Sequence, residues 1–278
     1  MNAEWVDILR VKAFYFSPTG STRRIAESAA CTLAEALGVP CVMSPYTLPC
    51  EREAMTPFEK GDLVVWATPV YAGRIPNKTL EFVKMQVRGE GVLALPIAVF
   101  GGRNYDFALA EMCRILQEGL MRPVAAAAMV ARHTFSEILG KGRPSNGDME
   151  QLESFCLLVV KNGPVGETRL AQIPHYKEEL TYYTPKKEDG GAANFLNAKP
   201  VVDTEGCRGC ESCAEVCPMG SVLMENGLPQ FEGVCIKCMA CVKQCPNGAL
   251  RFENEDFLSH IRMLEKSCDS GVGNDFFG

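Results

Sequence analysis

Two kinds of hydrophobic pattern alternate along residues 1–160. Short apolar runs of strand length are separated by longer segments with the periodicity of amphipathic helices, which is typical of an α/β domain with a parallel sheet. The apolar runs predict five strands, at residues 11–16, 39–43, 62–67, 93–100 and 124–131. The longer segments predict four helices, at residues 22–37, 77–87, 105–119 and 149–161.

This order of elements predicts a doubly wound, five-stranded parallel sheet with the strand order 2-1-3-4-5. In such a sheet the ligand binds at the carboxyl ends of strands 1 and 3. The loops after strands 1, 3 and 4 are therefore candidate ligand-binding segments.

The loop after the first strand carries four hydroxyl side chains within six residues. Gly20 allows the backbone to turn tightly, and the next helix offers free N–H groups and the positive end of its dipole. This combination indicates a phosphate site, although it is neither a Walker A motif nor a G-x-G-x-x-G fingerprint. A capped hydrophilic turn is the alternative. The hydroxyl residues are Ser17, Thr19, Ser21 and Thr22.

The loops after strands 3 and 4 combine glycines with a tyrosine each. Taken alone, such residues are more often ordinary loop and packing residues than ligand contacts. The candidate binding residues are Thr68, Pro69, Val70, Tyr71, Ala72 and Gly73 in the first of these loops, and Gly101, Gly102, Arg103, Asn104, Tyr105 and Asp106 in the second.

All three loops, in this order on these strands, make residues 9–163 resemble flavodoxins. Ser-x-Thr-Gly-x-Thr is similar to the loop that binds the FMN phosphate in that family, which often has asparagine where Ser21 stands. The resemblance implies a flavodoxin-like domain that binds FMN through the three loops. It also implies that Tyr105 lies flat on the outer face of the isoalloxazine ring, where stacking tunes affinity and potential. Tyr71 could cover the inner face.

One cysteine pattern, C-x2-C-x2-C-x3-C-P, occurs twice, and the second copy follows the first by 28 positions. Three thiolates on so short a loop can converge on one [4Fe–4S] cube, while the fourth ligates the other cube. Zinc and disulfides are the alternatives, but structural zinc usually takes two CxxC pairs separated by a longer loop. The cysteines are Cys207, Cys210, Cys213 and Cys217 in the first copy, and Cys235, Cys238, Cys241 and Cys245 in the second.

The spacing rule predicts that the two copies exchange their fourth ligands. The first three cysteines of the first copy would share a cube with Cys245, and those of the second copy would share a cube with Cys217. Residues 199–252 thereby resemble bacterial-type two-cluster ferredoxins. The resemblance implies a small α+β domain with pseudo-twofold symmetry that passes single electrons.

The remaining segments carry weaker patterns. Residues 164–198 are predicted to form an irregular linker that lies across both domains. Packing of its tyrosines at the joint is the favoured arrangement, and coverage of the flavin edge is the alternative. Residues 253–278 are predicted to form a C-terminal helix and a frayed tail. The sequence shows no recognisable set of catalytic residues. His133, just after the fifth predicted strand, is a weak candidate for a catalytic role.

Composition and charge limit the possible partners. A net charge of −6 argues against nucleic acid binding, and no apolar run is long enough to span a membrane. The acidic start of the chain does not match a secretory signal, and eight metal-binding cysteines require a reducing compartment, so we expect a cytoplasmic protein. The expected partners are unidentified redox proteins with basic docking surfaces, and a homodimer is possible.

As a whole, the chain resembles the fused flavodoxin/ferredoxin electron-transfer proteins of anaerobic bacteria and archaea. The first hypothesis is electron transfer between FMN and two [4Fe–4S] clusters, which couples two-electron flavin chemistry to one-electron carriers. The second is an iron–sulfur flavoprotein reductase that acts on a quinone, nitro compound or similar small acceptor. The third is an interaction module that has lost its flavin.

Overall fold

A parallel sheet with helices on both faces forms the first part of the chain. The computed structural model describes residues 5, 7–164, 166–268 and 271–278. The strands of this sheet are β1 (Arg10–Tyr15), β2 (Cys41–Pro45), β3 (Asp62–Pro69), β4 (Leu93–Phe100), β5 (Arg122–Pro123), β6 (Ala126–Val130) and β11 (Asp275–Phe277). The helices around it are α1 (Ser21–Leu37), α2 (Pro49–Glu53), α3 (Leu80–Gln86), α4 (Ala108–Glu118), α5 (Asn146–Asn162) and α6 (Glu167–Leu170).

The strand order is β2-β1-β3-β4-β6, and all of these neighbours are parallel. Short β5 lies just before the fifth predicted strand and pairs with the start of β4, and the predicted strand itself corresponds to β6. The central strands β3 and β4 are almost entirely buried, as expected of continuous apolar runs covered by helices on both faces. The predicted order 2-1-3-4-5 is confirmed, and the domain has a flavodoxin-like fold.

Successive side chains of each strand supply two separate cores, one on each face of the sheet. On one face, Val11 and Ala13 pack with Ile25 of α1 and Leu152 of α5. On the other face, Phe14 and Trp66 pack with residues of α3 and α4. The two helical layers therefore hold the carboxyl ends of the strands in fixed positions.

The prediction of a frayed tail is wrong for residues 275–277. They form β11, which lies antiparallel to β6 at the edge of the sheet. An open strand edge presents unpaired N–H and C=O groups, and the tail satisfies them. Two further contacts hold it in place, since Asn274 Oδ1 accepts a hydrogen bond from the Val130 N–H (2.9 Å) and Phe276 packs against Phe155 with ring centroids 4.8 Å apart.

Short strands and helices make up the second part of the chain, an α+β arrangement. Its strands are β7 (Val201–Val202), β8 (Val222–Glu225), β9 (Leu228–Phe231) and β10 (Leu250–Arg251), and its helices are α7 (Ser212–Glu215), α8 (Ala240–Gln244) and α9 (Glu255–Ser267). β8 and β9 form an antiparallel hairpin, and β7 pairs with β10 so that the two ends of the segment meet. No helix in the described ranges is long and apolar enough to cross a membrane.

The segment between the two parts contacts both of them. The Tyr183 N–H donates to the Ala72 carbonyl (2.8 Å), next to β3. Further along, the Glu188 N–H donates to Ser259 Oγ (3.1 Å) on α9. After α6, residues 171–198 contain no helix or ladder strand among the described positions, and they run across the joint.

Candidate functional site

A cavity of about 950 Å³ lies between the carboxyl edge of the sheet and the second part of the chain. This volume is at the upper end of the range for small-molecule and cofactor sites, about 300–1,000 Å³. Of the residues predicted from the three loops, those on its wall are Ser17, Thr19, Ser21, Thr22, Pro69, Val70, Tyr71, Ala72, Gly73, Gly101, Arg103 and Asn104.

The hydroxyl-rich loop places the start of α1 at this cavity. Gly20 adopts a left-handed backbone (φ 94°) directly before the helix, which a side chain would oppose. Ser17 Oγ accepts a hydrogen bond from the Arg23 N–H (2.8 Å), and the Ser17 N–H donates to Thr47 Oγ1 (2.8 Å). The first turn of α1 contains no acidic residue among the described positions. Hydroxyl groups and a helix N-terminus with no carboxylate in its first turn suit a phosphate.

A partly buried ion pair anchors the loop after β3. The Arg74 guanidinium donates to the Glu111 carboxylate, which also accepts a hydrogen bond from the Ile75 N–H (3.1 Å). Gly73 has a positive φ of 79°, and a β-carbon there would collide with the Asp106 carboxylate. Thr68 lies beneath the loop as a buried residue rather than on the cavity wall. The ion pair fixes the path of the backbone that forms one side of the cavity.

The loop after β4 forms the opposite side. A β-carbon at Gly101 would collide with the His133 ring, so only glycine allows these two segments to approach. Arg103 pairs with Asp106 and lies over the ring of Tyr183, 4.0 Å from its centroid. The predicted residues Gly20, Gly102 and Asp106 do not line the cavity.

The predicted stacking role of Tyr105 is wrong. Its side chain is 6% exposed and packs against Phe100, with ring centroids 5.4 Å apart. Its hydroxyl donates to Asp275 Oδ2 (2.8 Å), so Tyr105 joins the core to the C-terminal strand. Burial and the Asp275 carboxylate raise the pKa of this phenol. Tyr105 thus stabilises the edge of the sheet.

Other aromatic rings line the cavity instead. Tyr71 lies on the β3 side, and Tyr182 and Tyr183 come from the linker, for which the sequence favoured packing at the joint over a position at the flavin edge. Arg74 lies over the Tyr182 ring, 4.3 Å from its centroid. The aromatic patch in an otherwise polar linker was the sequence feature that could have indicated this role. Only the fold, however, shows that the linker lies at the cavity.

His133 also lines the cavity, although its sequence context offered only a weak indication of a role. Burial lowers its pKa to about 4, and the neighbouring His260, Arg103 and Lys243 lower it as well. The ring is therefore neutral near pH 7. Its place directly after the last parallel strand was the signal that could have identified it.

The eight repeated cysteines surround two separate cavities in the second part of the chain. No three His, Cys, Asp or Glu side chains in the described ranges approach closely enough to share one metal ion. The first cavity is lined by Cys207, Cys210, Cys213 and Cys245. The second is lined by Cys217, Cys235, Cys238 and Cys241. Each cavity thus receives three cysteines from one copy of the motif and one from the other, as the spacing predicts.

Local backbone geometry repeats between the two copies. The residues before and after the second cysteine have positive φ in both copies: Gly209 and Glu211 (64° each), and Lys237 (55°) and Met239 (63°). Such left-handed residues turn successive N–H groups toward one side, which is typical of iron–sulfur sites. At matching positions the Ser221 N–H donates to Cys217 Sγ and the Ala249 N–H to Cys245 Sγ, at 3.3 Å each.

The large cavity and the second cysteine cavity share a wall. Cys235 lines both of them, together with Ile236 and Lys237. Tyr71 and Cys235 both line the large cavity. Burial raises the pKa of the Tyr71 phenol, and the charges of Cys238 and Cys235 raise it further. A hydrogen bond from Thr134 Oγ1 to the Cys238 carbonyl (3.0 Å) fixes the joint.

Comparison with known proteins agrees with this description of the second part. Residues 206–250 match the family of 4Fe-4S dicluster domains. One component of the H2:CoB-CoM heterodisulfide,ferredoxin reductase of Methanothermobacter marburgensis is 34% identical over 109 residues, which is 34% of this chain and 16% of that component. The corresponding component in Methanothermobacter thermautotrophicus is 37% identical over the same length. The chain therefore spans 16% of the length of these relatives.

Solved structures similar to the first part include flavodoxins. The flavodoxin of Streptococcus pneumonia TIGR4 is 19% identical, with a TM-score of 0.39, and the match covers 54% of this chain and 98% of that one. An NADH:FMN oxidoreductase in its apo form is 18% identical, with a TM-score of 0.41, covering 57% of this chain and 91% of that one. From its strand order and its cysteine motifs, the chain joins a flavodoxin-like domain to a 4Fe–4S dicluster domain.

Proposed function

We propose that the protein transfers electrons between FMN, bound in the large cavity, and two [4Fe–4S] clusters, bound by the eight cysteines. The observation that carries this proposal is the position of Cys235, which lines both the large cavity and a cysteine cavity. A cofactor in the large cavity would share a wall with a cluster in the second one. The dicluster match supports electron transfer as the general activity.

The residues of the large cavity fit FMN. The hydroxyls of Thr19 and Thr22 and the N-terminus of α1 offer donors to a terminal phosphate. The pyrophosphate of FAD or of a dinucleotide favours a more open glycine path, which this loop lacks. Tyr71 and Tyr183 offer aromatic surfaces for a planar ring system.

When bound, FMN supplies exchange of either one or two electrons, which clusters alone do not provide. The chain's own residues would bind and orient it and limit the access of water. The Arg74–Glu111 ion pair holds the loop after β3, and the linker closes the cavity through the Tyr183–Ala72 hydrogen bond. Neutral His133 contributes a polar ring without a charge.

A redox protein is the proposed partner. The relatives in Methanothermobacter are named as components of a heterodisulfide,ferredoxin reductase, and ferredoxins carry single electrons. By analogy, we propose that this chain exchanges electrons with another protein through its exposed cluster surface. Cys210, which lines the first cysteine cavity, is exposed.

A second candidate function is reduction of a small acceptor at the flavin. The volume of the cavity, about 950 Å³, favours it, because that volume can admit a further small molecule beside a cofactor. Steady-state turnover with added quinone and nitro acceptors distinguishes this function from simple electron transfer.

Protein purified without oxygen is expected to contain one FMN, about eight iron and about eight sulfide per chain, and no zinc. The measurement is metal and sulfide analysis, combined with chromatography of the flavin released by acid. Flavin that migrates as FAD would contradict the choice of cofactor. Protein that contains zinc in place of iron would contradict the assignment of the clusters.

A further inference from the structure

Two cysteines outside the repeated motifs are in direct contact. The Cys31 thiol donates a hydrogen bond to Cys41 Sγ, and the two sulfur atoms are 3.3 Å apart. In the described part of the chain, no other cysteine outside the motifs has a sulfur–sulfur hydrogen bond. Neither residue lines the large cavity or the two cysteine cavities. The position of the pair away from these sites points to a chemistry of its own.

The turn between α1 and β2 holds the two cysteines beside each other. Cys31 lies in α1, and Cys41 is the first residue of β2. Gly38 ends the helix with a left-handed backbone (φ 70°), and the Val39 N–H donates to the Ala34 carbonyl (3.0 Å). Parallel pairing with β1 holds the strand on its other side. The sulfur–sulfur contact is therefore supported by ordered backbone on both sides.

The two thiols differ in exposure and in acidity. Cys31 is exposed and lines a surface groove with Ser28 and Met43, whereas Cys41 is half-buried against the core of the first domain. Burial raises the pKa of the Cys41 thiol to about 12, and the hydrogen bond with Cys31 raises it as well. Because the thiolate is the nucleophile, Cys41 is poorly suited to react first. An external reagent therefore meets Cys31, and Cys41 is its internal partner.

The separation of the sulfur atoms suits a bond that forms and breaks. The sulfur atoms of a disulfide are about 2.0 Å apart, so those of Cys31 and Cys41 have to approach by roughly 1.3 Å. In reducing compartments, disulfides are usually transient and serve catalysis or redox sensing. A reversible bond between these two residues fits both their distance and the expected compartment.

We propose that Cys31 and Cys41 form a thiol–disulfide exchange site that is oxidised by a low-molecular-weight disulfide. The Cys31 thiolate attacks one sulfur of the reagent, a mixed disulfide forms, and the first thiol leaves with the proton that Cys31 lost. Cys41 then gives up its proton and attacks Cys31 Sγ, and the second thiol leaves with that proton. The cysteine pair loses two electrons, and the reagent is reduced to two thiols. This site depends on neither the flavin nor the clusters.

The test uses the holoprotein purified without oxygen, with oxidised glutathione as the probe. After incubation, free thiols are blocked with N-ethylmaleimide, and the digested protein is examined by mass spectrometry. A pair of peptides linked through Cys31 and Cys41 is expected, with the loss of two hydrogens, and dithiothreitol is expected to restore both thiols. Cys50 provides an internal comparison, because it is exposed and has no sulfur partner among the described residues, and it is expected to carry glutathione and no cross-link.

Variants separate the roles of the two cysteines. Cys41→Ser is expected to stop the reaction at the mixed disulfide, so that Cys31 retains glutathione. Cys31→Ser is expected to slow the reaction of Cys41 at least about tenfold, because that thiol is half-buried and has a high pKa. The matched control is Cys50→Ser, which removes an exposed thiol outside the pair and is expected to leave the cross-link unchanged. Circular dichroism of the same samples reports whether each variant is folded.

Cys31 and Cys41 that both stay free, or that carry separate glutathione adducts in the wild-type protein, would overturn the proposal. A cross-link from Cys31 to any cysteine other than Cys41 would overturn it as well. These outcomes are read from the wild-type protein and do not require FMN to be bound. Their failure would leave the proposed function intact, and a protein without FMN would leave the exchange site intact.

Discussion

Replacing Cys217 with alanine is expected to remove the cluster of the second cysteine motif, and replacing Cys245 the cluster of the first. The reason is that Cys217 lines the cavity of Cys235, Cys238 and Cys241, whereas Cys245 lines the other cavity. Each variant is expected to retain about four of eight iron atoms, measured by metal analysis and by the absorbance of the clusters. Cys50→Ala, a change at an exposed cysteine outside both cavities, is the control and is expected to retain all the iron.

Double variants identify which cluster is lost. Cys217→Ala combined with Cys238→Ala is expected to lose no more iron than Cys217→Ala alone, since both residues line one cavity. Cys217→Ala combined with Cys210→Ala is expected to lose nearly all of it, since Cys210 lines the other. The opposite pattern, with the larger loss in the first pair, would mean that each motif binds its cluster with its own four cysteines.

Replacing Thr19 and Thr22 together with valine is expected to weaken FMN binding about 100-fold, or about 3 kcal/mol. Both residues line the cavity at the start of α1, and valine keeps the shape of threonine while it removes the hydroxyl. Each hydroxyl bound to a charged phosphate contributes about 1.5–3 kcal/mol. The measurement is fluorescence titration of the flavin-free protein with FMN.

Riboflavin, which lacks the phosphate, provides the decisive comparison for this variant. Its affinity is expected to remain nearly the same in the double variant and in the wild type. Thr32→Val, which removes a hydroxyl further along α1, is the control for changes in the helix. An FMN affinity that is unchanged, or a riboflavin affinity that falls as much as that of FMN, would place the phosphate elsewhere.

The parts of the structure that are predicted correctly depend on short-range sequence patterns. β4 occupies the predicted residues 93–100 because a continuous apolar run of eight residues suits a strand covered on both faces. The grouping of the cysteines around the two cavities, three from one copy and one from the other, also agrees with spacing within 39 residues, from Cys207 to Cys245. In both cases the residues that decide the structure lie within one motif.

The parts that the sequence does not reveal depend on partners far away in the chain. Because its loop resembles a flavodoxin loop, Tyr105 is predicted to contact the flavin. In the structure the Tyr105 hydroxyl instead donates a hydrogen bond to Asp275, 170 residues later. The tail is rich in glycine and acid, which predicts fraying, yet the open edge of β6 provides partners for its backbone. Such contacts arise from the way distant segments of the chain pack together.

We propose that flavin and clusters exchange electrons without a diffusional encounter, either within the chain or across a dimer interface, because linkage replaces that encounter. The most direct measurement is anaerobic stopped-flow mixing of the holoprotein with a one-electron reductant, with cluster and flavin absorbance followed separately. Cluster reduction followed by flavin reduction is expected, and the rate of the second phase should be the same at every protein concentration. A flavin rate that rises in proportion to protein concentration would show that the two centres meet only through collisions between separate molecules.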